Sequence, residues 1–253
     1  MRERPPAIQR FYTAFGNHAN RLVAENPGER NEDTHRRMDE MVFRPWDHDL
    51  EKPLESKQTT FLRDYFNSFQ EAVDACDHLD TVAELAQQTT SNLSDDNVAR
   101  ILTYWSESYL NEIYIFWERL KILLTLTERF YKKDPDFGEP IKKLCPELIQ
   151  KAKTFLEPFI QTRGAHVHTE RSRHSDPELV RLRSLDIFVN GFGREDLREE
   201  FVGSITDTRD WLVKQIEHCR EACWQLLESI CEVLAEGMIT DNDWLIVPTN
   251  HKD

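Results

Sequence analysis

Apolar residues recur along this chain at spacings of three and four, the period of a helix with one buried face. Phe61, Tyr65, Phe69, Val73 and Cys76 form the first clear stripe, predicting a helix that begins near Thr60 and ends before Thr89. Ser94, Asp95 and Asp96 offer N-caps to a second helix, with a stripe through Leu102, Trp105, Tyr109, Ile113, Phe116, Leu120 and Leu123 towards Phe130. A helix over 96–132 would be roughly 55 Å long, enough to act as the spine of a bundle.

The run Asp134-Pro135-Asp136-Phe137-Gly138-Glu139-Pro140 must interrupt the helix, because prolines and a glycine this close together cannot continue it. A third helix is expected to bury Leu144, Leu148, Ala152, Phe155, Phe159 and Ile160, with Pro146 in its first turn, Pro158 kinking its end, and a stop near Gly164. Asp176-Pro177-Glu178 reads as a cap followed by a first-turn proline. It opens a helix through Leu179, Leu182 and Leu185 that ends before Asn190-Gly191. A last helix, second in length to the spine, carries Phe201, Ile205, Leu212, Ile216, Cys219, Cys223, Leu226 and Ile230 to about Leu234.

These stripes predict an all-α fold, a bundle of four to five long helices with short connections. Its expected division is a polar, proline-containing arm or cap over 1–58, a helical bundle domain over 59–238 and a tail over 239–253, where Trp244 to Val247 should pack back. Glycine supports the class: 8 in 253 residues is about half the usual share, whereas sandwiches and barrels consume glycine in turns.

Charge limits the partners. With 46 Asp and Glu against 32 Lys and Arg the chain carries −14, which argues against general DNA binding, where neutralised phosphates supply most of the affinity. No run approaches the roughly 18 apolar residues of a membrane span, and the first twenty residues lack the apolar core of a secretory signal. The expectation is a cytoplasmic protein with no membrane contact. Cys76, Cys145, Cys219, Cys223 and Cys231 are odd in number and contain no Cys-x-x-Cys pair, so they read as buried thiols.

One segment between predicted helices differs from the rest. Thr162 to Ser175 holds three of the nine histidines, and from Gln161 to Arg183 five arginines (163, 171, 173, 181, 183) against Glu170, Asp176 and Glu178 leave 5 − 3 = +2. Such a stretch attracts anions locally. Histidine and arginine together suit cleavage of an RNA phosphodiester. The imidazole moves protons near neutral pH and the guanidinium holds the phosphate and stabilises the added charge, with no metal or other cofactor required.

Arg163-Gly164-Ala165-His166-Val167-His168 is an arginine, four residues, then a histidine, late in a helical bundle. It resembles the signature of the HEPN superfamily. The resemblance implies an HEPN-like all-α bundle, in many members a dimeric, metal-independent endoribonuclease of toxin or defence systems. Arg163 would stabilise phosphate and His168 would carry acid/base work, the Arg and His of two protomers facing one cleft. His166, Glu170, Arg171 and Arg173 would support them. The implied partners are RNA, a second copy of the chain and a protein such as an antitoxin. Gly164 stands where the family usually carries a polar residue, a change that suits a non-catalytic interaction or scaffold module of the same fold.

Other readings use the same residues. On a straight helix, positions five apart diverge by about 140°, so Arg163 and His168 converge only if the backbone bends at Gly164. The His166-x-His168 pair with His174 and Glu170 outlines a metal-dependent alternative. Glu112 and Arg119 are expected to pair with charges on a neighbouring helix, and Trp105, Trp117 and Trp211 to anchor packing.

Overall fold

A computed structural model of the chain describes residues 3–25, 57–88, 95–168 and 176–251. The described residues form six α-helices: α1 (Pro6–Glu25), α2 (Lys57–Gln88), α3 (Asp95–Tyr131), α4 (Gly138–His168), α5 (Pro177–Asp186) and α6 (Arg198–Met238). There is no strand among them, only one antiparallel bridge between Ile239 and Leu245. The class is all-α. At 41 residues α6 is longer than the 37-residue α3, reversing the expected ranking.

Two compact units divide these helices. The first comprises Met1–Ser68, Leu126–Leu144 and Glu228–Asp253; the second, Phe69–Thr125 and Cys145–Leu227. The first unit corrects the expectation for the chain's beginning. Residues 6–25 are not an irregular arm but a helix that buries Ile8, Phe11, Ala14 and Phe15 at three- and four-residue spacing. The prolines misled: Pro6 occupies the first helical position, where an amide hydrogen has no intrahelical partner to lose. Glu228, on α6, meets the free end of α1 by accepting from the Ala7 and Ile8 amides at 2.7 and 3.2 Å. Its carboxylate both satisfies orphan donors and opposes the helix dipole.

Aromatic rings fill the core of this unit. Phe61 lies 5.0 Å from Phe130 and 6.0 Å from Tyr131 between ring centroids, and Phe15 lies 5.6 Å from Tyr65. The Thr127 hydroxyl donates to Tyr65 Oη at 3.3 Å, and with the Phe61–Phe130 pair this shows α2 and α3 running antiparallel. The tail belongs to the same core: Leu245 and Val247 are buried, and the Tyr131 hydroxyl donates to the Ile246 carbonyl at 2.6 Å. Between α3 and α4 the buried Asp134 carboxylate accepts from the Asp136 and Phe137 amides and, through its other oxygen, from the Thr249 amide and hydroxyl. The chain turns so tightly here that a Cβ on Gly138 would stand 2.8 Å from the Lys132 carbonyl oxygen. Only glycine fits.

In the second unit the expected stripes of α2, α3 and α6 are buried, with Trp105 and Leu226 half-buried. Arg119 does pair with a charge on the neighbouring helix, donating to Glu71 at 2.8 Å, and His78 Nδ1 lies 3.6 Å from Glu112, so α2 and α3 are antiparallel here as well. Trp224 donates to Asp80 at 3.3 Å, tying α6 to α2. All five cysteines are free and buried, and burial pushes the Cys219 thiol up to about 12. That environment suppresses the nucleophilic thiolate.

Helix α4 departs most from expectation. It starts at Gly138, so Pro146 lies well inside it, and it passes Pro158 to reach His168 instead of stopping near Gly164. The buried face is Ile141, Cys145, Leu148, Ala152 and Leu156, while Phe155 is 49% exposed and Leu144, Phe159 and Ile160 are half-buried. Cys145 and Leu156 take the places expected of Leu144 and Phe155, while Leu148 and Ala152 stay buried, so the stripe shifts by one position at either side of them.

Candidate functional site

The Arg-x4-His segment occupies the last turns of α4. The backbone is helical at Arg163, Gly164, Ala165, His166, Val167 and His168, while the side chains of 162–168 lie outside the described residues. So do Glu170, Arg171, Arg173 and His174 in full. Helix α4 continues through Gly164 to His168, and on a continuous helix positions 163 and 168 differ by about 140° around the axis.

The chain next comes into description at Asp176, the cap anticipated from the sequence. Its carboxylate accepts from the Glu178 and Leu179 amides at 2.9 and 3.4 Å, Pro177 takes the first turn, and Leu179, Leu182 and Leu185 are buried. Helix α5 then widens into a single π turn, Ile187–Gly191, and Gly193 adopts φ 69°, a conformation suited to glycine, before α6 begins.

Arg181 and Arg183 are the arginines of the +2 stretch whose side chains are described. Arg181 faces α6, with Glu200 at 3.4 Å and Asp207 at 3.8 Å, so its charge is answered within the protein. Arg183 lies in the last turn of α5 and lines a cleft of about 270 Å³ with Asp186, Leu182, Ala99, Arg100 and Thr103. Arg100 and Thr103 come from α3 and belong to none of the motifs in the sequence. The available signal was Arg100 and Tyr104 one turn apart on the polar side of the α3 stripe.

A second cleft, of about 390 Å³, is lined by Gln87, Arg209, Asp210, Val213, Lys214 and Glu217. Its groups largely satisfy one another: Arg209 donates to Asp210 at 2.8 Å and Gln87 to Glu217 at 2.6 Å. Among the described residues no three His, Cys, Asp or Glu side chains converge as metal ligands. The His166, His168, His174 and Glu170 set lies outside that description.

Among the described residues no helix is long and apolar enough to cross a membrane. Comparison with protein-family models, with curated proteins and with solved structures finds no match.

Proposed function

We propose that this chain is an HEPN-like, metal-independent endoribonuclease in which Arg163 stabilises the phosphate and His168 transfers protons. The observation that carries the reading is the position of the Arg-x4-His segment. It ends a long helix of an all-α protein, in a stretch of net positive charge within a chain of −14. An unbroken helix puts the two positions about 140° apart, so a shared cleft would take its arginine from one protomer and its histidine from the other. This agrees with the dimeric arrangement implied by the family resemblance.

The test is cleavage of mixed RNA in EDTA. His168→Ala is expected to lose at least about 100-fold in rate, the usual worth of a positioned acid/base, and Arg163→Ala to lose activity as well. Mixing the two inactive variants should restore part of it, since one hybrid cleft then keeps both residues. Undiminished cleavage by His168→Ala overturns the assignment.

A non-catalytic interaction module is the second reading, and the apolar surface around the π turn favours it. Ile187, Phe188 and Phe192 are exposed, the last by 72%, and the two phenylalanine rings lie 6.0 Å apart. This reading expects no turnover and a protein partner whose capture is lost in Phe192→Ser.

A further inference from the structure

We infer that the corner formed by α5, the π turn and the start of α6 is a docking site for a basic amphipathic helix of another protein. The inference deepens the interaction reading by naming the partner's chemistry. It rests on the docking part of that reading alone, so RNA cleavage by the same chain leaves it standing.

Continuity of the apolar surface is the first argument. Val180 on α5 and Ile187 at the head of the π turn lie seven residues apart on one side, 46% and 48% exposed, with the exposed Ser184 between them. Phe188 follows Ile187, and its ring lies 6.0 Å from that of Phe192. Single exposed apolar side chains are ordinary, but four on one corner mark a binding surface. The π turn buries Val189 and leaves Phe188 and Phe192 outside, and such turns are frequent where a chain serves a function.

Size selects a helix over a second copy of the chain. Four side chains about half exposed present roughly 400 Å² of apolar surface, about half of what each partner brings to a standard interface. Two such corners would make an undersized dimer contact. One helix face is enough. Seven residues of α5 rise about 10.5 Å, the separation of the i and i+7 anchors of a helix laid alongside, and the small Ser184 leaves room for close approach.

Charge makes that helix a basic one. Residues 176–210 hold nine Asp and Glu against five Arg, so the segment carries 5 − 9 = −4. Its arginines are already engaged. Arg181, Arg194, Arg198 and Arg209 each pair with a carboxylate of the same segment, and Arg183 has an interaction of its own. Glu199, exposed in the first turn of α6, has no partner among the described residues. A second copy would set −4 against −4, and a nucleic acid would meet the same repulsion. A helix carrying Lys or Arg beside its apolar stripe is attracted instead.

The experiment titrates the full chain with three helical peptides that share a leucine face and carry Lys, Gln or Glu on the polar face. The Lys peptide should bind at least about 10-fold more tightly than the Glu peptide at low salt, with the gap closing as salt rises. Phe192→Ser and Val180→Ser should each weaken the Lys peptide by at least about 5-fold with its salt dependence unchanged, because apolar contact is lost and no charge is. Both side chains are exposed, so the helical circular dichroism of the variants should match the wild type. A Glu peptide that binds as tightly as the Lys peptide overturns the proposal. If all three peptides bind equally and Phe192→Ser releases them all, the interaction reading stands and the basic partner falls. A wild type that binds none of them, or whose binding neither substitution alters, removes the face and the interaction reading with it. Sedimentation equilibrium of the chain alone checks the rival occupant: self-association that Phe192→Ser abolishes assigns the corner to a second copy and overturns the proposal.

Discussion

Asp134 shows how a single side chain closes a connection. Burial by itself would raise its pKa, but hydrogen bonds from the Thr249 amide and hydroxyl and from the Asp136 and Phe137 amides outweigh it, holding the carboxyl below its ordinary 3.8. Its stabilisation is therefore present above that value and disappears as pH falls through the lower folded-state pKa. His251 responds in the same direction at higher pH. Burial, then the nearby Lys57 and Arg129 charges, lower its imidazole below 6.5, and the ring packs against Phe61 and Phe130 with centroids 5.7 and 5.1 Å away. The unfolded chain binds this proton first, so the contribution of His251 is complete above about pH 6.5 and is lost as pH drops towards the folded-state value. His251→Phe should keep the packing and remove that loss. Urea midpoints measured against pH should show the wild type declining more steeply than the variant just below 6.5, and parallel curves would contradict the assignment.

At the scale of elements, the helices divide into those whose ends are capped locally and those capped from a distance. Helix α5 closes its N-terminus with Asp176, two residues from the amide it receives, which is why the motif is readable in the chain. Helix α1 uses Glu228, more than two hundred residues away, which no local pattern announces. Asp176→Ala and Glu228→Ala should each cost about 1 kcal/mol, the usual worth of a cap, and differ in where the cost is felt. Hydrogen exchange should quicken in Leu179–Leu185 in the first variant and in Ile8–Phe15 in the second. Equal protection across both segments in both variants would rule out these caps. The phase of α4 teaches a related lesson. Phe155 continues a stripe drawn from Leu144, but the buried face runs through Ile141 and Cys145, and Leu156 is buried in its place.

At the scale of the whole molecule, the −14 balance governs any encounter with nucleic acid. Under the proposed RNA reading, binding should fall with salt by a slope of only about two, because a net charge of −14 opposes broad contact with phosphates. A slope above about six would mean broad phosphate coating and would contradict the confinement of binding to small clefts. The units differ in their resources: the first relies on aromatic packing and a tail that returns to the core, the second on long leucine- and isoleucine-rich stripes with the cleft at α3 and α5.

What the amino-acid order determined by itself was whatever depends on near neighbours: the helical period of α2, α3 and α6, the proline and glycine break before α4, the Asp176 cap, the burial of the cysteines and the local concentration of arginine and histidine. Part of what was missed was also readable, since Ile8, Phe11 and Phe15 already show the period of α1. Tertiary structure decided the rest, because those outcomes depend on groups far apart in the chain. Glu228 meeting α1, Thr249 meeting Asp134, Arg181 being answered by α6, and Arg100 sharing a cleft with Arg183 each join residues whose sequence separation carries no periodic signal. A helix period tells a side chain which way to face; only packing decides what it faces.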